Sequence, residues 1–110
     1  MELSAKKEPK GVVVHVEGRM DAVSSPDFEK EMDAWIEKGE TILVVDCTSL
    51  EYISSSGLRS VLTVAKKLKS RKGKILLTSL TSVVKEVFEI SGFSAIIPIS
   101  DSLETAISDL

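Results

Sequence analysis

Ile42-Leu43-Val44-Val45-Asp46-Cys47-Thr48-Ser49-Leu50-Glu51-Tyr52-Ile53-Ser54-Ser55-Ser56-Gly57-Leu58 is the stretch that decides the fold. Ile42 to Val45 is an unbroken apolar run, and with Thr41 before it predicts a strand buried on both faces, hence central and parallel. Asp46 closes that strand. The nine residues from Cys47 to Ser55 read as a connection, longer than the roughly two to six residues usual between strand and helix. A helix is then predicted from about Gly57 to Ser70, with Leu58, Val61, Leu62, Ala65 and Leu68 on its buried face and Gly73 just past its end. Ile75 to Thr78 reads as the next strand, so the unit is a right-handed strand–helix–strand crossover.

Working outward, Met1 to Lys7 reads as an edge strand and Glu8-Pro9-Lys10-Gly11 as turn chemistry. Val12 to Val16 is a strand and Gly18 to Ser24 a loop. The first helix is predicted to start at Ser25 as N-cap, with Pro26 at its first position and Asp27 in its first turn. Phe28, Met32, Trp35 and Ile36 form its apolar stripe, which predicts a buried Trp35, and Gly39 ends it. A third helix is predicted over Ser82 to Ser91, with Val83, Val87 and Ile90 on one side and Val84 and Phe88 beside them. Ala95 to Ile99 holds Pro98 and reads as an edge strand. Asp101 and Glu104 have capping-box spacing for a last helix whose Leu103, Ala106, Ile107 and Leu110 point inward. The alternation predicts one α/β domain over residues 1–110, with a four- to five-stranded, mostly parallel sheet and about four helices.

Composition narrows the function classes. One cysteine, Cys47, excludes a disulfide framework within the chain and a cysteine-rich metal site. A net charge of −3 argues against nucleic acid as a partner. The basic cluster Lys66, Lys67, Lys69, Arg71, Lys72 and Lys74 lies where a helix should end and reads as a solvated C-terminus complementing the dipole. No run reaches the roughly 18 apolar residues of a membrane span, and no apolar signal core opens the chain, so a cytoplasmic protein is expected. The chain has no Asn and no Gln and is charged mainly by Lys and Glu, a pattern of hyperthermophile proteins.

The serine cluster carries the chemistry. Hydroxyls at a helix N-terminus lie beside free backbone N–H groups and the positive end of the dipole, where an anion such as phosphate is favoured. One of Ser54, Ser55 and Ser56 must cap the helix; three exceed that need. A hydrolase elbow, Gly-x-Ser-x-Gly, lacks its first glycine here, and the lone His15 sits early on a strand with no evident role as base. A Gly-x-x-x-x-Gly-Lys-Ser/Thr loop is absent. A phosphate-accepting Asp46 would need an acidic pair after the first strand, where Glu17 and Gly18 stand instead. These readings leave no catalytic residue, metal site or cofactor, and they favour a binding surface whose serines carry charge.

The same stretch resembles the signature of the STAS domain family, the anti-sigma factor antagonists, whose usual form is Asp, two or three apolar or small residues, then Met-Asp-Ser-Ser/Thr-Gly-Leu-Gly. Gly18-Arg19-Met20-Asp21-Ala22 resembles the family's Gly-x-Leu-Asp turn, and Val84 to Phe93 its third helix with the small-residue turn after it. Two positions depart from the pattern: Ser54 replaces the acidic residue before the serine pair, and Arg59 replaces the Gly after Leu. The resemblance implies a small STAS-like fold and a partner that is both anti-sigma factor and ATP-dependent serine kinase. It implies a phosphate carrier at Ser56 or Ser55, of which Ser56 is favoured because the position next to Gly57 lies closest to the free N–H groups. It also implies a partner surface of Asp21, Ala22, Ser54, Ser55, Ser56, Gly57, Leu58 and Arg59. An alternative within the same fold is a scaffold subunit of a stress-signalling or lipid-transport assembly that is never phosphorylated.

Overall fold

Apolar runs without alternation settle at the centre of the sheet, as β-branched residues packed on both faces should. The computed structural model describes residues 1–110. Its strands are β1 (Glu2–Glu8), β2 (Gly11–Met20), β3 (Ile42–Ile53), β4 (Lys74–Thr78) and β5 (Ile99–Ser100). They lie side by side in chain order, β1 antiparallel to β2 and every later pair parallel. The helices are α1 (Ser25–Glu37), α2 (Ser55–Ser70), α3 (Ser82–Ser91) and α4 (Leu103–Ser108), with a 3-10 turn at Phe93–Ala95. The α/β class, the central β3 and the mostly parallel sheet follow the expectation from sequence.

One face of the sheet carries the main core. Val12, Val14, Val16, Leu43, Val45, Ile75 and Leu77 pack there against Phe28, Met32 and Ile36 of α1, the inner face of α2, and Val84 and Phe88 of α3. The other face is smaller: Val13 and Val44 meet Ala106 of α4, with Leu76, Leu103, Ile107 and Leu110 around them.

Of the two predicted loops, Cys47 to Ser55 is largely strand and Gly18 to Ser24 is strand in its first three residues. β2 continues to Met20 and β3 to Ile53, pairing Arg19 with Tyr52 and Met20 with Ile53. The pairing passes from His15–Asp46 to Glu17–Ser49 and from Gly18–Leu50 to Arg19–Tyr52, so β3 carries two extra residues as bulges. Its buried residues there, Cys47, Leu50 and Ile53, recur every third position and hide the strand from a period-two reading. Gly18, at φ +97°, supplies a backbone conformation that a side chain would strain.

Other expectations shift. Trp35 is half-buried at the edge of the core, its indole N–H donating to Glu31 at 2.8 Å and Lys38 lying 4.6 Å over its ring. The stripe faces the sheet through Phe28, Met32 and Ile36, which leaves Trp35 at the flank. On α2, Val64 is buried where Leu62 and Ala65 are only partly so. Val83 and Ile90 of α3 are exposed, because Val84 and Phe88 take the inner face. Residues 95–98 lie before the edge strand, which starts only after Pro98, whose carbonyl accepts the Leu77 N–H. Helix α4 is capped by Ser102, which accepts from the Thr105 N–H at 3.1 Å, and not by Asp101. Two cations of the basic cluster tie helices together: Lys67 pairs with Asp33 at 2.9 Å and Arg71 donates to the Ile36 carbonyl.

Candidate functional site

Strands β2 and β3 end together, and the serine cluster begins there. The Ser54 N–H donates to the Met20 carbonyl at 2.9 Å, the last rung before the chain turns. Ser54 is extended (φ −92°, ψ 176°), and its Oγ accepts the Gly57 N–H at 3.2 Å. This is N-cap geometry, so α2 starts at Ser55, two residues earlier than predicted. A cap must reach the N–H three residues on; here that donor is Gly57, and only Ser54 stands at the right spacing. Aspartate and serine are equally good caps, so Ser54 fills the acidic residue's structural place.

Capping thus consumes one serine and frees two. Ser60 Oγ is also engaged, donating to Glu29 at 2.7 Å. The hydroxyls of Ser55, which is exposed, and Ser56, which is half-buried, have no bond within the chain. Gly57, unlike Ser55 and Ser56, is buried. A Cβ there would stand 2.7 Å from Ile53 Cγ1 and 2.8 Å from the Met20 carbonyl oxygen. The first turn of α2 therefore sits on the strand ends, and backbone oxygen cannot move aside. Gly57→Ala is expected to lower stability by about 1–3 kcal/mol, read from the thermal midpoint. A midpoint equal to wild type would mean that the helix can ride outward freely.

The loop before α1 closes the site from the other side. Asp21 Oδ1 accepts the N–H groups of Val23 and Ser24, both at 3.1 Å, while Ser24 Oγ accepts the Asp21 N–H at 2.9 Å. Ser24, not Ser25, is the N-cap residue of α1; Ser25 is buried, its hydroxyl donating to the Asp21 carbonyl. The Ser24 N–H is the main reason the Asp21 carboxyl is held below its usual range, with the Ser24 hydroxyl, the Val23 N–H and the Arg19 charge adding to it against some burial. Asp21 stays ionised and shapes its own turn. Arg19 in turn stacks over Tyr52 at 4.1 Å.

The two loops meet at an open groove of about 260 Å³ between α1 and α2. Ala22, Pro26 and Glu29 line one side, and Ser56, Arg59 and Ser60 the other. The groove thus brings Ala22 together with Ser56 and Arg59, and the Ser54–Met20 rung sets Ser54 beside the start of the Asp21 turn. Ser55, exposed, does not line the groove. Leu58 is different: only 7% exposed, it packs in the main core and supports the surface from beneath. Pro26, Glu29 and Ser60 were missed by the sequence reading. Their only signal was spacing, since Ser60 follows Ser56 by one helical turn and Glu29 flanks the apolar stripe at Phe28.

His15 has a carboxylate partner. Its Nδ1 lies 2.7 Å from Asp46 Oδ2, on the adjacent parallel strand. Burial is the largest influence on the Asp46 carboxyl and pushes it up. The Thr48 hydroxyl and N–H, with His15, outweigh that and hold it below the usual range. This pair lines a cleft with Ser4 and Ser49, away from the serine cluster, so it cannot serve Ser55 or Ser56 as a base. Burial pushes the Cys47 thiol up to about 12, which makes it inert as a nucleophile.

An α/β sheet whose strand ends present free hydroxyls on an open surface defines a binding domain more than an enclosed active site. The chain belongs to the STAS domain family, whose signature matches residues 2–106. It is 41% identical over 106 residues to BtrV of Bordetella bronchiseptica, a candidate anti-sigma factor antagonist, covering 96% of this chain and 91% of that one. Among solved structures, a candidate anti-sigma factor antagonist from Thermotoga maritima superposes with a TM-score of 0.92 at 20% identity, over 97% of this chain and 92% of that one. The unphosphorylated form of the anti-sigma factor antagonist SpoIIAA gives 0.85 at 21% identity, over 98% and 95%. The phosphorylated form of the Bacillus cell fate determinant SpoIIAA gives 0.77 at 21%, over 98% of each chain. No helix is long and apolar enough to cross a membrane.

Proposed function

We propose that residues 1–110 act as a single STAS domain and an anti-sigma factor antagonist, a cytoplasmic regulatory protein with no catalysis of its own. Its partner is an anti-sigma factor that is also an ATP-dependent serine kinase. Unphosphorylated, the surface of Asp21, Ala22, Ser54, Ser55, Ser56 and Arg59, supported by Gly57 and Leu58, binds that partner and so releases a sigma factor. Phosphorylation of Ser56, with Ser55 as the alternative carrier, ends the complex. The observation that carries this reading is the division of labour among the serines: Ser54 caps α2, which leaves Ser55 and Ser56 unengaged, Ser56 in the groove opposite Ala22. The relatives' names support an anti-sigma factor as the partner, and the resemblance of the serine motif is the ground for its kinase activity.

In the transfer, Ser56 Oγ attacks the γ-phosphorus of ATP and forms a new O–P bond. The bond from that phosphorus to the bridging oxygen breaks, ADP leaves with the electron pair, and the hydroxyl proton passes to a base of the kinase. The product carries about −1.5 to −2 charges, which a packed partner surface with no cation facing them cannot accept.

Intact mass before and after incubation with the kinase and ATP tests the assignment. Wild type and Ser55→Ala are expected to gain one phosphoryl group, and Ser56→Ala none. Labelling of Ser56→Ala but not of Ser55→Ala would move the carrier to Ser55 and keep the mechanism. An unlabelled wild type would instead favour the unphosphorylated scaffold subunit of a stress-signalling or lipid-transport assembly.

A further inference from the structure

Arg59 stands where the family pattern has glycine, and the structure gives that departure a use. It lies on α2 one turn after Ser56, and both line the groove against α1. Residues three apart on a helix are neighbours. Long helical side chains lean toward the N-terminus, over the preceding turn, which puts position 56 within reach of the Arg59 side chain. Arg59 is exposed and takes part in none of the chain's four ion pairs.

The rest of the groove is unfavourable to an anion. Across it stands Glu29, whose carboxylate accepts from Ser60 and is fixed in place by that bond. Among the groove residues Arg59 is the only cation. A phosphoryl group on Ser56 would enter a cleft containing a carboxylate, and with glycine at position 59 no cation there would offset it. A guanidinium presents a planar fork of donors that matches phosphate oxygens two at a time, which an ammonium does not.

We propose that Arg59 is the built-in counter-ion of the phosphorylated state: it clasps the phosphoserine at position 56 within the α1–α2 groove and holds it as the dianion. The proposal rests on the reading of Ser56 as the carrier. It makes Arg59 a positioning residue for the switch, one that keeps the modified chain folded on itself instead of leaving the phosphate free in solvent.

The test uses the full chain with phosphoserine installed at position 56 during translation, so no kinase is needed. The second phosphate ionisation is followed by 31P NMR across pH. A nearby cation favours the dianion, so this ionisation should fall below the value of about 6 for a free phosphoserine. In Arg59→Gln it should rise by about half a unit or more. Arg59→Lys should fall between the two, keeping the charge and losing the fork. Lys66→Gln, which removes one exposed cation further along α2, should leave it unchanged. Equal ionisation in wild type and Arg59→Gln would overturn the clasp, as would an equal shift from Lys66→Gln. Failure of a kinase to label Ser56 would overturn the carrier assignment alone, because the clasp is measured without it.

Discussion

Phe28→Ala is expected to cost about 3–5 kcal/mol of stability, whereas Trp35→Ala costs about 1–2 kcal/mol. Both belong to the same α1 stripe, and size alone would rank them the other way. Phe28 is fully buried between the sheet and α2, so its removal leaves a cavity that its strand and helix neighbours cannot close. Trp35 lies at the flank, and its loss removes partial burial, one hydrogen bond to Glu31 and a cation–π contact with Lys38, each modest near water. For a chain of 110 residues the whole stability is roughly 5–15 kcal/mol, so the Phe28 change removes a large part of it. Urea midpoints at constant slope give the comparison. A Trp35→Ala loss as large as that of Phe28→Ala would mean that α1 is rotated on the sheet.

The same contrast shows what was legible in the sequence. Strand and helix identity came from runs such as Ile42 to Val45 and Val12 to Val16, whose burial on both faces leaves no other reading. The extent of β3 was hidden, because bulges opposite Glu17 and Arg19 turn its alternation into a three-residue spacing that looks like a loop. The angular position of α1 was hidden too, since spacing marks a stripe but not its centre. At the site, the order of motifs pointed to the serines and Asp21. Which serine caps α2 needed backbone geometry, because three adjacent hydroxyls offer the same chemistry. Burial of Leu58 and the groove across from Arg59 depend on how α1 and α2 meet, which local sequence does not encode.

Ser56→Asp is expected to weaken binding to the anti-sigma kinase strongly while leaving the fold intact. Inverting a complex from 99:1 to 1:99 takes about 5.5 kcal/mol of differential affinity, and a charge buried in an interface without a full complement costs about 3–5 kcal/mol. The partner's surface supplies no complement, and the nearby Arg59 offsets the anion only in part. A carboxylate carries one charge where phosphate carries nearly two, so the Asp variant should reach part of the full effect, roughly a hundredfold or more in affinity. The fold should tolerate it, since the first turn of α2 holds no acidic residue and an anion there is stabilising by about 0.3–1 kcal/mol. Ser56→Ala, which adds no charge, should bind like wild type. Titration calorimetry against the kinase, with thermal midpoints alongside, separates lost affinity from lost structure. If Ser56→Asp binds normally and Ser55→Asp does not, the exposed neighbour is the carrier. If both bind as wild type does, charge at the start of α2 is not the switch, and a domain that docks constitutively through the same surface is the better account.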